Sequence, residues 1–545
     1  MKLQLLIWAM LGCLLPAVAG AVSIRNIALE VRFDETAGQI TVHSPPGAAP
    51  FAADGKLDGV VTRVTAGETN HPVFGAGQAI RLELADGSLT TLSLHADLPF
   101  LLVRKTQRNG ADQAANFATV EPVTFQLRFE QPAAALRTMG TGGLLAPADN
   151  PGSYLFLACA DPATRAGVVA GWVTQNKGSG SVFSPVDGDG VGLKARLEHG
   201  HLILPPGETV ELDTFAIGWF ADARLGLERF ADAVAAAHAI KLRPKTAVYC
   251  SWYAEGPGHG GAGSDASTRG LARFVAESGL RDHGLGVIQI DDRWQDGPQI
   301  QGPASCFDRV NPKGPYPDGI APVAAEVERH GLVFGLWWLP FGRNHMQPEF
   351  ADRQDWFFKW PDGKPLRQKG FGGTCLDSSH PAVQQHLADL GRTIRSWGVK
   401  YYKMDGLNVG CGVDHCYIND GYKEDGFGKS RPPHNPALTQ IEVMRKGLKT
   451  IREASGDEVF FSGCCANQNM RTYAGSIGLV DSMRVGPDFN HDGEGIRSGP
   501  LRGSWVYFLN GRVWWNDPDP TKVRTSNEPC DADNSARGAV TLEQA

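Results

Sequence analysis

Side chains that could do chemistry recur at one kind of position, directly after the short apolar runs of the C-terminal half. They are carboxylates, two cations, indoles, thiols and one amide: Trp252, Asp291, Asp292, Trp337, Trp338, Lys403, Asp405, Cys464, Cys465, Arg484, Asp488, Asn516 and Asp517. If the runs are parallel strands, these groups meet at one end of a barrel. Carboxylates and indoles suit an uncharged polyhydroxylated ligand, whereas a phosphate would require more Lys or Arg.

Two such carboxylates could cleave a glycosidic bond. Retaining hydrolysis uses two carboxyl groups about 5–5.5 Å apart, one attacking the sugar and one protonating the leaving oxygen. The residue types nominate several aspartates without choosing among them. The sequence has no HExxH motif, no Walker loop and no GxSxG elbow in its C-terminal half, so zinc-peptidase, nucleotide-hydrolase and serine-hydrolase chemistry lack their signatures.

The elements that position these groups fall into two regions. From about residue 22 to 235, short alternating runs are separated by Gly, Pro and Asp-Gly pairs, and this pattern predicts an antiparallel β-sandwich. The clearest runs are Gln39–His43, Ala79–Leu84, Ser88–His95, Val123–Phe129 and Thr209–Phe215. A helix is predicted over Ala221–Ala239. We therefore expect an N-terminal domain over residues 22–240.

After Pro244, apolar strands alternate with helices, which predicts a parallel sheet and, with polar strand ends, a (β/α)8 TIM barrel over residues 241–545. The predicted strands are Ala247–Trp252, Gly286–Ile290, Leu332–Trp338, Lys400–Met404, Glu458–Ser462, Gly478–Met483 and Arg512–Trp515. The predicted helices are Ser267–Ser278, Pro322–His330, Pro381–Trp397 and Leu438–Ala454. Seven strands can be counted and not the eighth, so we expect a barrel truncated before its last strand.

Four motifs in this region, roughly residues 240–520, resemble those of the melibiase-type clan of glycoside hydrolases, families 27 and 36. They are Ile290-Asp291-Asp292-Arg293-Trp294, Lys403-Met404-Asp405-Gly406, Arg484-Val485-Gly486-Pro487-Asp488 and Trp515-Asn516-Asp517-Pro518-Asp519. The β-sandwich in front of the barrel resembles the layout of family 36. The resemblance implies a retaining α-galactosidase that acts on terminal α-D-galactosyl residues and needs no metal or organic cofactor.

The resemblance also implies a role for each matching residue. Asp405 corresponds to the nucleophile and Asp488 to the general acid/base. Asp291 and Asp292 correspond to the pair that holds the sugar's O4 and O6, while Lys403 and Arg484 correspond to cations that bind its hydroxyls. Three further predicted substrate contacts are the side chains of Trp252, Trp337 and Cys464.

The sequence does not decide which substituent the substrate carries at the 2-position of the sugar. After the fifth strand, family 27 usually has a Glu that contacts the 2-hydroxyl, whereas this chain has Ser462-Gly463-Cys464-Cys465-Ala466-Asn467. Galactose is therefore the default, and α-N-acetylgalactosaminides and β-L-arabinopyranosides remain alternatives. A secreted carbohydrate-binding protein without catalysis is the alternative from another functional class.

Some of these residues have competing structural explanations. Asp291 and Asp292 could form a turn, and only one would face the site if the strand continued through them. The tryptophans could simply pack the barrel. The segment from Asp488 to Gly493 copies the first half of a calcium-binding EF-hand loop, but Gly499 stands where that loop needs a bidentate Glu. We therefore prefer the acid/base role for Asp488.

The net charge and the N-terminal sequence limit the possible binding partners and the cellular location of the protein. The net charge is −7, which argues against a nucleic-acid surface. Residues 1–21 combine Lys2, an apolar run and small residues, and they predict a signal peptide cleaved near Ala19–Ala21, with a lipoprotein signal at Cys13 as the alternative. We expect a secreted or periplasmic protein that keeps no membrane segment after cleavage. The oligomeric state stays open.

Ten cysteines, one of them in the predicted signal, would be allowed to form disulfides after export. Cys375 and Cys411 are a possible bridge, although the sequence does not fix any pairing. A zinc site at Cys411 and Cys416 is disfavoured because their spacing is not CxxC and no second pair is near.

Overall fold

The computed structural model of the protein describes residues 20–253, 261–300, 302–369, 371–415, 421–464, 469–486, 488 and 493–519. Largely or wholly outside these ranges lie four parts of the chain that the sequence analysis discusses or includes. They are the predicted signal peptide, Cys465, the loop after Asp488 and residues 520–545. In the described part of the chain, no helix is both long enough and apolar enough to cross a bilayer.

The N-terminal region forms two antiparallel sheets. The first runs, in spatial order, Ala21–Arg25, Glu30–Asp34, Gln39–His43, Pro50–Leu57, Val123–Leu127, Gly190–Glu198, Ser179–Phe183 and Ser153–Tyr154, with Thr119–Val120 and Val186–Asp187 on Gly190–Glu198. The second runs Gly143–Leu145, Arg137–Gly140, Phe156–Ala160, Gly167–Trp172, Phe215–Phe220, Leu101–Arg108, Leu89–His95, Gly75–Leu84 and Val61–His71, with Thr209–Glu211 on Leu101–Arg108. Ile203–Leu204 pairs with Ala115–Asn116. Buried side chains of both sheets form one shared core, as a sandwich requires.

The predicted strand Thr209–Phe215 is wrong as a single element. The chain forms Thr209–Glu211, leaves the sheet, and re-enters it as Phe215–Phe220. The interruption is at Asp213, whose buried carboxylate accepts the backbone N–H groups of Asn176, Lys177 and Gly178 at 2.7, 2.9 and 2.9 Å. Alternation alone could not reveal this contact, because the residues it joins are distant in sequence.

The C-terminal region is a seven-stranded parallel sheet. In spatial and chain order its strands are β1 (Ala247–Cys250), β2 (Leu285–Ile290), β3 (Val333–Trp338), β4 (Tyr401–Met404), β5 (Phe460–Gly463), β6 (Ser482–Arg484) and β7 (Trp515–Asp517). The helices are Ala223–Ala237, Asp265–Glu277, Ala321–Arg329, Pro381–Ser396, Gln440–Ser455, Arg471–Ser476 and Gly493–Trp505. The predicted alternation of strands and helices is therefore confirmed, and a parallel sheet of this order brings the strand ends to one side.

Two predicted strands begin later than expected. The first, predicted over Gly478–Met483, begins only at Ser482, because the amides of Leu479 and Val480 still bond to Ser476 of the preceding helix. The second, predicted over Arg512–Trp515, begins at Trp515, since Gly511 at φ +72° forms a turn closed by its N–H to the Trp514 carbonyl, 2.9 Å. In both places, apolar residues that are buried in a turn gave the same sequence pattern as a strand.

No eighth strand joins β7 to β1 among the described residues, so a closed barrel is not established. The two edges still approach each other, because the Trp515 indole N–H donates to the carbonyl of Arg243, four residues before β1, at 2.8 Å. Arg243 also pairs with Asp481, directly before β6, at 3.1 Å.

The sandwich and the parallel sheet are joined by a buried ion network around Arg471. Its guanidinium pairs with Asp425 at 2.6 Å and with Glu198 of the sandwich at 3.0 Å. Asp425 also accepts the Asn469 amide at 3.1 Å, and Asn469 follows the loop after β5. The sandwich thus helps to hold the loops that follow β4 and β5.

The possible disulfide between Cys375 and Cys411 is not formed. Both residues are buried free thiols: Cys375 donates to the Val413 carbonyl at 3.6 Å, and Cys411 lies 3.2 Å from the Met444 sulfur. Burial raises the pKa of both thiols, which keeps them protonated at neutral pH. Cys416 lies outside the described residues, so the zinc interpretation there is not tested.

Candidate active site

Asp405 is the first residue after β4, at the end of the sheet where the other strand-end groups meet. Its backbone N–H donates to Trp338 on β3 at 3.0 Å. Its carboxylate accepts hydrogen bonds from the Trp337 indole to Oδ2 at 3.0 Å and from the Gly406 amide to Oδ1 at 2.8 Å. Gly406 has φ +57°, and a Cβ there would lie 2.7 Å from Leu339 Cδ2. The strand end, the glycine turn and the buried indole together fix the carboxylate in one orientation.

Asp291 and Lys403, which stands two residues before Asp405, form a mostly buried ion pair. Lys403 Nζ lies 2.8 Å from Asp291 Oδ2, and the same oxygen accepts from Gln289 Nε2 at 3.0 Å and from the Cys250 thiol at 3.4 Å. The Asp292 amide donates to the other oxygen at 2.9 Å. Burial alone would raise the pKa of Asp291, but the Lys403 charge and these donors outweigh it and lower the pKa. Asp291 therefore stays ionised and anchors Lys403.

Asp292 has a different environment from its neighbour. β2 ends at Ile290, so both aspartates turn inward after the strand and both are buried. Asp292 Oδ1 accepts the Arg293 amide at 2.7 Å and Gln295 Nε2 at 2.6 Å. Burial raises the pKa of Asp292 to about 6, against the hydrogen bond from Gln295 and with help from the negative charge of Asp291. Within the described residues, no hydrogen bond reaches Asp292 Oδ2, which leaves that oxygen to accept a ligand hydroxyl.

A second cluster lies after β6 and β7. Arg484 is 3% exposed, and its Nη2 lies 2.9 Å from Asp488 Oδ1 and 2.7 Å from Asp519 Oδ2. Its Nη1 lies 3.8 Å from the thiol sulfur of Cys464, which follows β5. The Asp488 side chain is 67% exposed, so the predicted acid/base stands at the rim of the site rather than in its floor.

One cavity reaches Lys403 of the first cluster and Asp519 of the second, although neither Asp405 nor Asp488 lines it. It has a volume of about 280 Å³ and extends along the inner face of the sheet between β1 and β7. Its charged and polar lining includes Cys250, Gln289, Lys403, Asp517 and Asp519. Asn516 also lines the cavity, and its side-chain amide is held by the Trp514 indole N–H and the Val506 carbonyl, each at 3.0 Å.

The predicted aromatic contacts differ in exposure. Trp337 is buried, at 1% exposure, and its N–H is directed to Asp405. Trp338 is also fully buried and packs edge-on against Tyr402, so it belongs to the sheet core. Trp252 is half-buried beside the end of β1, and the guanidinium of Arg293 lies 5.5 Å from its ring centroid.

The structure adds residues that sequence reasoning missed. Gln289, Cys250 and Gln295 hold the aspartate pair, and Asp519 shares Arg484 with Asp488. Gln289 carried a signal only in its position, two residues before Asp291 near the end of the predicted strand. The pairing of Asp519 with Arg484 had none, since it depends on how the loops after β6 and β7 meet.

Three or more His, Cys, Asp or Glu side chains arranged to hold a metal ion do not occur within the described ranges. The prediction that no metal is required stays a prediction. The rest of the EF-hand-like segment after Asp488 lies mostly outside the described residues, so the calcium alternative is untested there.

Solved structures similar to this chain include several α-galactosidases. TtGalA from Thermus thermophilus, in complex with stachyose, has a TM-score of 0.55 and 21% identity, covering 86% of this chain and 91% of that chain. The family 36 enzyme AgaA from Geobacillus stearothermophilus, in complex with raffinose, has a TM-score of 0.59 and 13% identity, covering 90% and 77%. AgaB from the same organism has a TM-score of 0.59 and 12% identity, covering 90% and 76%.

No protein-family model matches the sequence. At these identities the structural similarity establishes the fold. The chain therefore has the fold of the family 36 α-galactosidases, an antiparallel sheet domain followed by a parallel strand–helix domain, and the resemblance indicated by the four motifs is confirmed at that level.

Proposed function

We propose that this chain is a retaining exo-glycosidase that hydrolyses terminal α-D-galactosyl residues. The observation that carries the proposal is the position of Asp405: it directly follows the central strand β4, is oriented by Trp337, and stands two residues after Lys403, which pairs with Asp291. The fold shared with solved α-galactosidases, some of them in complex with stachyose or raffinose, supports the same conclusion.

In the proposed mechanism, Asp405 attacks the anomeric carbon while Asp488 protonates the leaving oxygen. A β-linked galactosyl-enzyme forms. Asp488 then takes a proton from water, which attacks the anomeric carbon and releases galactose with the α configuration retained. Trp337 holds Asp405 in position for attack through its indole N–H.

The sugar-binding roles follow from the same arrangement. Asp292 Oδ2 and the ammonium of Lys403 would bind the hydroxyls that distinguish galactose from its epimers. Asp291 shares its charge with Lys403, so we assign it mainly to orienting that ammonium. Arg484 would position Asp488 until substrate binds. Trp252, Trp337 and Cys464 remain proposed substrate contacts.

The test is a panel of 4-nitrophenyl glycosides: α-D-galactoside, α-N-acetylgalactosaminide, β-L-arabinopyranoside and α-D-glucoside as a negative control. We expect α-D-galactoside to have the highest kcat/KM. If the α-N-acetylgalactosaminide or the β-L-arabinopyranoside is hydrolysed faster, that sugar replaces galactose as the proposed substrate. Saturable galactoside binding without turnover of any member would favour the non-catalytic alternative.

Two finer expectations belong to this proposal. We propose that the protein is exported and loses residues 1–21, which N-terminal sequencing of the exported protein would test. We also propose that the parallel sheet belongs to a (β/α)8 barrel whose closure between β7 and β1 needs one further strand. The shared cavity at those edges and the Trp515–Arg243 hydrogen bond support it, and protection of the β1 and β7 amides from hydrogen exchange would test it.

A further inference from the structure

The loop after β7 is packed against both ends of the segment that carries Asp488. The carbonyl oxygen of Pro518 lies where a side chain at Gly486 or at Gly499 would begin, since a Cβ at these glycines would stand 2.4 and 2.8 Å from it. Neither position can therefore carry a side chain unless the two loops move apart. The loop after β7 thus limits where the segment between the two glycines, and with it Asp488, can lie.

Asp519 belongs to this loop and is buried beside the cation that contacts Asp488. Its side chain is 5% exposed, and its Oδ2 lies 2.7 Å from Arg484 Nη2. Its backbone N–H donates to Asp517 Oδ1 at 3.0 Å, which holds the turn after β7. Its φ of +76° lies in the left-handed region, which residues other than glycine rarely adopt. The backbone and the ion pair together hold the Asp519 carboxylate in one place.

A single guanidinium nitrogen, Arg484 Nη2, contacts two carboxylates of very different exposure. Asp519 approaches it from the buried side at 2.7 Å, and Asp488, with a side chain that is 67% exposed, approaches it from the rim at 2.9 Å. Charge-assisted hydrogen bonds of this kind are directional, and they are strongest where water is excluded. The buried contact therefore fixes the guanidinium, and the guanidinium in turn orients the carboxylate at the rim.

We propose that Asp519 is a positioning residue for the acid step: it holds Arg484 in the orientation that presents the Asp488 carboxyl to the leaving oxygen. The inference rests on the proposed function. There, the bond from the anomeric carbon to the leaving oxygen breaks as the bond to Asp405 forms, and the proton of Asp488 passes to the leaving oxygen. Asp519 itself transfers no proton. Because a displacement of about 1 Å can cost about 100-fold in rate, loss of this anchor impairs protonation of the leaving group.

The experiment compares kcat/KM for two substrates that need acid assistance to different degrees, phenyl and 2,4-dinitrophenyl α-D-galactoside. Dinitrophenolate leaves readily without a proton, whereas phenolate needs one. The variants are Asp519→Asn, which removes the charge at nearly constant shape, and Asp519→Glu, which keeps the charge but displaces the carboxylate. Asp481→Asn is the matched control, because it removes another buried carboxylate, paired with Arg452 at 2.9 Å directly before β6.

We expect Asp519→Asn to lower kcat/KM about tenfold more for the phenyl substrate than for the dinitrophenyl substrate, as a partial loss of general acid catalysis would. Asp519→Glu should show a smaller difference of the same sign, and Asp481→Asn should affect both substrates alike. Asp488→Ala gives the largest difference. Since Asp519 acts through Asp488, the double variant Asp488→Ala/Asp519→Asn should show little further difference between the substrates.

Equal losses with the two substrates in Asp519→Asn would overturn the positioning role and leave the α-galactosidase proposal intact, because the wild type would still hydrolyse both. The same conclusion would follow if the two substitutions were additive in the double variant. If Asp519→Asn fails to fold, as circular dichroism would show, Asp519→Glu is compared with the wild type in the same way. A wild type that hydrolyses neither galactoside would instead refute the proposed function, and the positioning role with it.

Discussion

The indole N–H of Trp337 lies 3.0 Å from Asp405 Oδ2, so the second-to-last residue of β3 orients the carboxylate that directly follows β4. The neighbouring Trp338 is equally buried but faces the opposite side of the strand, against Tyr402. Adjacent residues of one strand thus have separate tasks, one in the site and one in the core. This difference provides a matched pair for mutation.

Trp337→Phe should lower kcat/KM for an α-galactoside about 10- to 100-fold. It removes one hydrogen bond to a charged group, which contributes about 1.5–3 kcal/mol, while keeping an aromatic ring in place. Trp338→Phe is the control, because its indole nitrogen has no hydrogen-bond partner among the described residues. Steady-state kinetics of both variants checks the prediction, and equal losses in the two would contradict a specific role for the Trp337 N–H.

Asp292→Asn should stabilise the protein at neutral pH while reducing activity. Burial raises the pKa of Asp292 to about 6 from an ordinary value near 3.9. The folded state therefore loses stability as pH rises from about 4 through 6, by at most about 3 kcal/mol for two pKa units. Asn keeps an oxygen to accept from Arg293 and Gln295, so we expect a gain of about 1–3 kcal/mol at pH 7.5 and none at pH 4.

Denaturant unfolding of the wild type and Asp292→Asn at both pH values checks this prediction. In the wild type, the ionisation of Asp292 should lower the free energy of unfolding between pH 4 and pH 7.5. The variant lacks this ionisable group and should not show that loss. A variant that is destabilised equally at pH 4 and pH 7.5 would show that the ionised carboxylate is not the source of the cost.

Lys403→Met and Asp291→Asn should each destabilise the fold by about 3 kcal/mol, since each leaves one buried partner without its counter-charge. The double variant should cost clearly less than the sum of the two, because it removes both charges. Urea unfolding of the four proteins measures this coupling. Additive single effects, within about 0.5 kcal/mol, would mean that the two groups do not interact.

Arg471→Met should destabilise the protein by about 3–5 kcal/mol, because it leaves the buried Asp425 and the partly buried Glu198 without their cation. Glu198→Gln should cost less, since the Arg471–Asp425 pair remains. Where the variants still fold, a lower kcat/KM would reflect the loops after β4 and β5, which this network holds. Arg63→Met, from the exposed pair with Glu83, is the control, and the same small effect from Arg471→Met would contradict the role of the network.

Much of the fold could be predicted from the sequence, because strands and helices that bury one face need apolar residues at a characteristic spacing. The strand β4 and the helix over residues 381–396 follow directly from apolar runs and from Pro381 at the helix start. The errors arose where apolar residues are buried in turns, as at Val513 and Trp514, or where a distant contact ends a strand, as at Asp213. Neither cause is visible in local periodicity.

For the site, the sequence pointed to the residues but not to their partners. The motifs picked out Asp291, Lys403, Arg484 and Asp488, and the structure pairs the first two with each other and the last two with each other. The alternation argument against two adjacent inward aspartates did not apply, because β2 ends before Asp291. The third partner, Asp519, depends on loop packing and has no local signature.

The measurement that tests the central claim most directly is hydrolysis of 4-nitrophenyl α-D-galactoside by the wild type and by Asp405→Ala, without and with added azide. The account predicts wild-type activity, a loss of at least 10³-fold in the variant, and partial rescue by azide with β-galactosyl azide as the product. An active Asp405→Ala variant, or rescue that yields the α-azide, would contradict Asp405 as the nucleophile of a retaining enzyme.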